Sequence, residues 1–233
     1  MSRQRFMTVH STSIRRSSEF GTVSPATSQP RRGLYRSVFK RTFDIFAVLL
    51  ALPFVLPFFA LLSLIIASDG HSPVFRQERV GKDGRRFVMW KFRTMVPNAE
   101  ELLERHLAGS ETARKEWDAK QKLSFDPRVT RTGKLLRRSS LDELPQIFNV
   151  LKGDMSLIGP RPMMPSQQAL YPGHAYYRLR PGMTGSWQIS ERHTSDFAER
   201  ACYDDSYDEQ LSLMNDFGIL LKTVAVVCRG TGV

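Results

Sequence analysis

One apolar run constrains what this chain can fold into more than any other feature. From Ile45 to Ala67 the sequence has 23 residues without a charged side chain. As an α-helix with a rise of 1.5 Å per residue, the run would be about 35 Å long, enough to cross a hydrocarbon layer of about 30 Å. A buried core helix is the alternative, but core runs are usually shorter. The sequence therefore predicts a membrane-embedded segment.

The prolines and flanks of this run bear on its path through the membrane. Pro53 and Pro57 lie near its middle, and each removes a backbone donor, which predicts a kink or break. Basic residues stand on both sides of the run: Arg31, Arg32, Arg36, Lys40 and Arg41 before it, and Arg76, Arg79, Lys82, Arg85 and Arg86 after it. Because Lys and Arg accumulate on the cytoplasmic side, both ends are expected there. A re-entrant helix hairpin satisfies both observations, and a single crossing is the alternative.

Composition divides the chain into three regions. Residues 1–33 are rich in Ser, Thr and Arg without apolar periodicity, which predicts a disordered basic tail. Residues 34–69 are the predicted membrane-embedded re-entrant helix. Residues 70–233 are the predicted cytosolic catalytic domain, in which short helices alternate with loops that contain Pro and Gly.

Two patterns at the start of the cytosolic region predict local structure. Val74–Val80 and Phe87–Phe92 flank Gly81-Lys-Asp-Gly84, and Asp-Gly between such runs is a hairpin signal. Ala99–Leu123 has the charged pattern of a solvated surface helix. The expected fold class is therefore α+β, mainly α: a re-entrant membrane helix hairpin followed by a compact cytosolic helical domain with a small β-hairpin.

The net charge of +11 indicates a polyanionic partner. Residues 1–44 hold nine basic and two acidic residues, so much of the excess lies in the tail and the flank of the apolar run, where anionic lipid accounts for it. The sequence contains no helix-turn-helix, zinc-finger or aromatic–basic RNA pattern. No nucleic-acid partner is expected, although a membrane-anchored nucleic-acid-binding module is kept as an alternative function.

Residues suited to phosphoryl transfer concentrate between Asp126 and Pro162. Several basic side chains precede an adjacent acid pair, Asp142 and Glu143, and Arg161 follows between two prolines. A carboxylate can attack phosphorus as a covalent nucleophile if cations neutralise the phosphate that it attacks. The prolines fix the backbone of Arg161, which would preset its guanidinium for bidentate phosphate binding.

The acid pair also has a purely structural interpretation. Ser140-Leu-Asp-Glu143 fits a capping box, in which Ser140 caps a helix and Glu143 is its third residue. The two interpretations can coexist, because a helix N-terminus stabilises anions and would keep Asp142 ionised. The preceding basic run has a similar alternative as a surface that faces solvent or lipid.

Several short motifs follow one another in a characteristic order: Lys40-Arg-Thr-Phe-Asp44, Phe75-Arg-Gln-Glu-Arg-Val-Gly81, Lys91-Phe-Arg-Thr-Met95, Ser140-Leu-Asp-Glu-Leu-Pro-Gln146, Asn149-Val-Leu-Lys-Gly-Asp-Met155, Gly159-Pro-Arg-Pro162, Arg180-Pro-Gly-Met-Thr-Gly185, and then Asp204, Tyr207 and Asp216. In this order, from about Lys40 to Val233, the chain resembles the monotopic phosphoglycosyl transferases, also called bacterial sugar transferases. Each piece is modest alone, and their joint order is specific.

The resemblance implies an enzyme that moves a sugar-1-phosphate from a UDP-sugar to a polyprenyl phosphate. Asp142 would be the nucleophile that forms an aspartyl-phosphosugar with release of UMP, and Glu143 would assist through Mg²⁺ or as a base. Asp204 would help to hold that Mg²⁺ with the acid pair. The residues that the resemblance places at phosphate or substrate are Arg161, Lys91, Arg93, Arg138 and Arg192.

The chain is similar to the short, exopolysaccharide-initiating members of the family, including galactose-1-phosphate transferases of rhizobial type. The expected donor is therefore UDP-galactose or UDP-glucose, the acceptor is undecaprenyl phosphate, and the location is the cytoplasmic face of the bacterial inner membrane, in contact with its lipid. A homodimer is left open. Two positions depart from the family pattern: Leu56 replaces a Ser before Pro57, and Glu191 replaces a Gly before Arg192. A catalytically inactive scaffold for polysaccharide assembly is the second alternative function.

Overall fold

The structure is a computed structural model, and it describes residues 33–120, 123–190 and 197–228. A π-helical turn at Tyr35–Phe39 leads into the first helix. The helices are α1 (Lys40–Ala67), α2 (Ala99–Gly109), α3 (Glu111–Lys120), α4 (Arg131–Ser139), α5 (Gln146–Lys152), α6 (Ala175–Arg178), α7 (Ser186–Ile189), α8 (Arg200–Glu209) and α9 (Leu213–Cys228). The strands are β1 (Val74–Val80), β2 (Arg86–Phe92), β3 (Ser156–Ile158) and β4 (Gly182–Thr184), and 3₁₀ turns lie at Lys82–Gly84, Leu141–Glu143 and Pro165–Leu170. The predicted tail lies outside the described residues except for Gly33.

The whole apolar run is contained in α1. Pro53 and Pro57 both lie inside this helix, which continues from Lys40 to Ala67. The predicted interruption at the prolines is therefore not seen, and the re-entrant path stays a prediction. Together with the turn before it, the helix from Tyr35 to Ala67 is long and apolar enough to cross a membrane, judged by length and composition.

One stripe of α1 packs against the rest of the protein along the full length of the helix. Near its start, Val48 is buried against Ile147 and Val150 of α5. Near its end, Leu62 and Ile66 are buried against β2 and α4. The spacing of these residues is that of a single helical face. The opposite face is apolar and exposed, and includes Phe46, Leu49, Leu50, Phe54, Phe58, Leu61, Leu64 and Ile65.

The predicted hairpin is confirmed. In the antiparallel pair, Val74 lies opposite Phe92 and Val80 lies opposite Arg86. At its tip, Asp83 has a φ of 56° and is followed by a glycine that also has a positive φ, as the Asp-Gly signal predicts. Phe87 and Met89 of β2 are buried, and strand alternation puts Lys91 on the same inner face.

The predicted charged helix Ala99–Leu123 is two helices, α2 and α3. Gly109 ends the first helix, and the Ser110 side chain caps the second by accepting a hydrogen bond from the Ala113 amide at 3.2 Å. Glycine favours the end of a helix and serine favours its start. Leu123 is buried outside either helix.

A short parallel pair of strands, β3 and β4, was not expected. Ser156 pairs with Gly182 and Ile158 pairs with Thr184. The two chains approach so closely that a Cβ on Gly182 would lie 2.1 Å from the Gly159 amide nitrogen. The pair fixes the segment that continues into Arg161.

Candidate active site

The acid pair lies on a short turn between two helices. Asp142 and Glu143 belong to the 3₁₀ turn after α4. Ser140 ends α4 with a φ of 57°, and its side chain makes no capping hydrogen bond to the turn. The predicted capping box is therefore wrong. The cap of this region is Thr130, whose hydroxyl accepts a hydrogen bond from the Gly133 amide at 2.9 Å at the start of α4.

Two leucines anchor this turn against the long apolar helix. Leu141 and Leu144, on either side of the acid pair, pack against the cluster that contains Leu62 and Ile66 of α1. Apolar contacts of this kind fix the turn because they exclude water from both surfaces. The carboxylate pair therefore lies next to the C-terminal half of α1.

A lysine from the hairpin reaches the acid pair. The Lys91 ammonium lies 2.9 Å from Glu143 Oε1, and both side chains are mostly buried. Lys91 is on the inner face of β2, so the hairpin register decides which cation meets the turn. Two predicted site residues that are 52 positions apart are thus brought together.

Asp142 is half-buried, and its surroundings act on its pKa in both directions. Burial raises the pKa above the usual carboxyl range and Glu143 raises it further, whereas Lys91 and Arg137 lower it, and the net direction is upward. Asp142 lies on a 3₁₀ turn, so the expectation that a helix N-terminus keeps it ionised stays a prediction. A desolvated anion needs nearby cations, and here Lys91 and Arg137 supply them.

A polar cleft opens beside Glu143. Its cavity of about 130 Å³ is lined by four cations, Arg79, Lys91, Arg161 and Arg200. Asp142 lies beside this lining. The surplus of positive charge around one carboxylate is suited to a ligand with several negative charges, such as a diphosphate. The rest of the lining comprises Met89, Gln146, Pro162, Gln167, Gly182, Met183 and Gln188.

Two of these arginines are partly buried close to a third. Burial and the neighbouring charge of Arg161 lower the pKa of Arg79 to about 10 and that of Arg200 to about 10. Among the described residues, the Nε atoms of Arg79 and Arg200 are buried without a hydrogen-bond partner. Like charges crowded into a partly desolvated cleft favour the binding of an anion.

Two of the arginines lie near the ring of one tryptophan. The Arg200 guanidinium carbon lies 4.1 Å from the centroid of the Trp187 ring, and that of Arg161 lies 5.8 Å from it. Both distances are within the range of cation–π attraction. Arg161 Nη2 is also 4.0 Å from Glu143 Oε1, so the predicted Arg161 does lie at the acid pair.

The structure gives Arg93 another environment. Its guanidinium donates to both carboxylate oxygens of Asp69, at 2.8 and 2.6 Å, and to the carbonyl oxygens of Ser72 and Ile66. These contacts fasten the end of α1 to the end of β2. Arg93 does not line the cleft.

Arg137, rather than the predicted Arg138, is the α4 arginine that acts on Asp142. Arg137 is partly buried, donates to Thr94 Oγ1 at 3.0 Å, and lowers the pKa of Asp142. Arg138 is exposed on the other side of α4. Neighbours in a helix point about 100° apart, so one step along α4 changes the environment completely.

Asp204 is not brought into a metal site with the acid pair. It is buried on α8, where it accepts a hydrogen bond from the Tyr171 hydroxyl at 2.7 Å. Within the described ranges there is no group of three or more His, Cys, Asp or Glu side chains that could hold a metal ion. Arg192 lies outside the described residues.

The adjacent carboxylates still fit Mg²⁺ in one way. Mg²⁺ is usually held by one or two carboxylates together with substrate phosphates and water, rather than by a complete protein cage. Asp142 and Glu143 could supply the carboxylates, and a diphosphate in the cleft could supply further oxygens. Asp204 is not needed for this arrangement.

Sequence reasoning missed three cations of the site, namely Arg79, Arg137 and Arg200. Arg79 reaches the cleft from the end of β1, where its Nη1 donates to the Pro162 carbonyl oxygen at 3.3 Å. The motif Phe75-Arg-Gln-Glu-Arg-Val-Gly81 contains Arg79, but nothing in the motif says which of its two arginines turns inward. Arg200 follows Phe197, and the Phe197 ring also lies against its guanidinium. This aromatic–basic pair is the one sequence feature that could have pointed to Arg200 as a site residue.

Fold and site together define a class of protein: a domain built on one long apolar helix, with a carboxylate pair beside a cationic cleft. Residues 35–230 match the family described as bacterial sugar transferase, and the chain belongs to this family. The resemblance inferred from the motif order is therefore confirmed.

Three relatives illustrate the similarity. The chain is 45% identical over 195 residues to a UDP-galactose-lipid carrier transferase of Erwinia amylovora, and 44% identical over 195 residues to an undecaprenyl-phosphate galactose phosphotransferase of Salmonella typhimurium. Each match covers 83% of this chain and 41% of the relative, so the chain spans about two fifths of their length. It is also 43% identical over 196 residues to the exopolysaccharide production protein ExoY of Rhizobium meliloti, a match that covers 83% of this chain and 87% of ExoY.

Proposed function

We propose that the protein transfers hexose-1-phosphate from a UDP-sugar to undecaprenyl phosphate, as the first step of exopolysaccharide synthesis. The observation that carries the proposal is that the charges of Lys91 and Arg137 act on Asp142, whose neighbour Glu143 lines a cleft with four cations. A nucleophilic carboxylate needs its phosphate target to be neutralised, and this cleft supplies the neutralising charge.

In the first step, an Asp142 carboxylate oxygen attacks the phosphorus that bears the sugar. A new phosphorus–oxygen bond forms to Asp142, and the bond between that phosphorus and the bridging oxygen breaks. UMP leaves with the bonding electron pair, and the sugar phosphate remains as an acyl phosphate on Asp142. Arg79, Arg161 and Arg200 are placed to neutralise the diphosphate and the departing UMP.

In the second step, an oxygen of undecaprenyl phosphate attacks the same phosphorus. The bond to the Asp142 carboxylate breaks, which regenerates the enzyme and yields undecaprenyl-diphospho-hexose. Glu143 can accept a proton from a singly protonated lipid phosphate, and the Lys91 ammonium lies 2.9 Å from that carboxylate. When bound by Asp142 and Glu143, Mg²⁺ would neutralise phosphate charge further.

The packing of α1 supports a re-entrant path with both ends on the cytoplasmic face. Close to its start, Arg41 donates to the carbonyl oxygens of Val150 and Leu151, at 2.5 and 2.9 Å. At its end, Arg93 donates to the carbonyl oxygen of Ile66 at 3.1 Å. Because both ends of the helix are bound to one domain, both ends lie on the same side of the bilayer as that domain. The exposed apolar face of the helix can enter one leaflet.

The donor is proposed to be UDP-galactose first and UDP-glucose second. Two of the relatives described above are named for galactose. Galactose and glucose differ in the orientation of one hydroxyl group, so assays with the two donors in parallel distinguish them.

Turnover of the Asp142→Asn variant tests the proposed chemistry. We expect UMP release and formation of the lipid product to be abolished, while the melting temperature in detergent changes little, because Asn keeps the size of the side chain. Glu143→Gln is the matched control at the adjacent carboxylate, and we expect it to slow turnover without abolishing it. Full activity of Asp142→Asn would overturn the covalent mechanism.

Cysteine labelling tests the proposed topology separately. Ser37 and Ser68 are exposed at the two ends of the apolar helix, and Cys in either position, with Cys202 and Cys228 replaced by Ser, should react only with reagent supplied from the cytoplasm. Reaction of one position from the periplasm would show a single crossing instead.

A further inference from the structure

One glutamine of the cleft is buried and has no hydrogen-bond partner. Gln146 is 2% exposed and lines the cleft together with Glu143. Its amide can accept a hydrogen bond at Oε1 and donate at Nε2, but among the described residues its side chain makes neither bond. Both amide atoms keep a small accessible surface, whereas Nε of Arg200 in the same cleft is sealed. Because buried amides normally have partners, this one is suited to pair with a ligand.

The other two glutamines of the lining differ from Gln146. Gln167 Oε1 accepts a hydrogen bond from the Met164 amide at 2.9 Å, so this side chain holds its own 3₁₀ turn. Both amide atoms of Gln188 are sealed from the cleft. Gln146 is therefore the glutamine of the described lining whose amide is both accessible and unengaged.

Gln146 has a fixed position relative to the acid pair. It is the first residue of α5 and follows Glu143 by three positions. The Ile147 amide donates to the Leu144 carbonyl oxygen at 3.1 Å, which joins the turn of the acid pair to α5. Ile147 is also buried in the cluster that contains Val48 of α1. The amide and the two carboxylates consequently belong to one rigid segment of the chain.

This position selects the part of the donor that the amide can meet. In a UDP-sugar, the sugar is bonded directly to the phosphate that Asp142 would attack, whereas uracil is separated from it by a second phosphate and a ribose. A phosphate oxygen without a proton would leave the Gln146 Oε1 acceptor unpaired. A sugar hydroxyl both donates and accepts, so it can satisfy either atom of the amide.

We propose that Gln146 is a specificity-determining residue, which binds a hydroxyl group of the hexose on the attacked phosphate. A donor without that hydroxyl would leave a buried amide unpaired, and sites of this kind discriminate strongly against such analogues. The inference rests on the proposed function, because it requires a UDP-sugar in the cleft. It concerns the choice of sugar and not the nucleophile.

The Gln146→Met variant of the full chain tests the inference, because Met keeps an unbranched side chain of similar length and removes both hydrogen-bonding atoms. With UDP-galactose or UDP-glucose, whichever the wild type uses faster, we expect kcat/KM to fall by about 10- to 100-fold. Binding of UDP, which has no sugar, should be unchanged. Gln168→Met is the matched control, since Gln168 lies outside the cleft lining that the structure describes, and it should keep wild-type kcat/KM.

Donor analogues that each lack one hydroxyl of the hexose separate sugar recognition from a structural role. For the hydroxyl that Gln146 binds, its removal should lower kcat/KM of the wild type and leave that of Gln146→Met unchanged. A structural role would instead make the variant lose the same factor as the wild type with every analogue, which would overturn the inference.

Two further results would also overturn it. The first is wild-type kcat/KM in Gln146→Met. The second is weaker binding of UDP by this variant, which would assign the amide to phosphate or uracil. Failure of the proposed function is seen separately, because it would appear as a wild type that turns over neither UDP-sugar.

Discussion

Asp204 offers a test of how burial and charge set the stability of this protein. The carboxylate is buried on α8, and burial raises its pKa from 3.8 to about 7, despite the hydrogen bond from Tyr171 and the charge of Arg200, which both lower it. The folded protein therefore binds this proton more tightly than the unfolded chain does. By linkage, the free energy of unfolding falls as the pH rises from about 4 to about 7.

The size of the effect follows from the two pKa values. The two pKa values differ by about 3, and each unit of pKa corresponds to about 1.4 kcal/mol. The free energy of unfolding at pH 8 is therefore lowered by about 4 kcal/mol. Asp204→Asn removes the titration, and its side-chain carbonyl can still accept the hydrogen bond from the Tyr171 hydroxyl. We therefore expect the variant to be more stable than the wild type by up to about 4 kcal/mol at pH 8, and by little at pH 4.

Thermal unfolding in a nonionic detergent at several pH values between 4 and 8 measures this difference. For a domain of this size, each kcal/mol moves the melting temperature by about 2–4 °C. Glu209→Gln, at an exposed position on the same helix, is the matched control and should change little. A shift that is equal at every pH, or a variant that is less stable at pH 8, would refute the reasoning.

Three further substitutions test separate parts of the site and the fold. Lys91→Met should lower kcat by about 10²-fold or more, because it removes a cation at the reacting phosphate. It should also move the acid limb of the pH–rate profile to higher pH, because Lys91 lowers the Asp142 pKa. An acid limb at the wild-type pH would contradict this. Gly133→Ala puts a Cβ 2.1 Å from a backbone carbonyl oxygen. We therefore expect the free energy of unfolding, measured with denaturant, to fall by about 1–3 kcal/mol. A variant as stable as the wild type would show that α4 can shift. Arg93→Gln should lower the melting temperature and leave the KM for the UDP-sugar unchanged, whereas a raised KM would return Arg93 to phosphate binding.

Local patterns in the sequence were sufficient for the elements that local physics decides. The charge-free run predicted α1, and alternation around Asp83 predicted the hairpin. The prediction for Arg161 came from its flanking prolines and from the resemblance, and that for Lys91 came from the resemblance alone. The two side chains lie 4.0 and 2.9 Å from Glu143. The continuity of α1 through its prolines could not be predicted from the pattern, because packing of its inner stripe can hold a helix together at a residue that disfavours it.

The errors share a physical cause, which is tertiary packing. Ser140 matches a capping box, but α4 ends at this residue with a positive φ, so its side chain is not available to cap the turn. Arg79 and Arg200 reach the cleft beside Glu143 from β1 and α8, far away in the chain, and no local pattern encodes that meeting. Arg93 follows the last residue of β2, where its contacts turn to the end of α1 instead of the cleft.

In the proposed mechanism, Asp142 becomes covalently linked to the sugar phosphate. Its most direct test is mass spectrometry of the purified full chain after brief exposure to UDP-galactose or UDP-glucose with Mg²⁺ and without lipid acceptor. We expect a hexose-phosphate adduct on the peptide that contains Asp142, and no adduct on the Asp142→Asn variant. A contradictory result would be wild-type protein that forms no adduct but still releases UMP and forms the lipid product once undecaprenyl phosphate is added. The sugar phosphate would then pass directly from donor to acceptor.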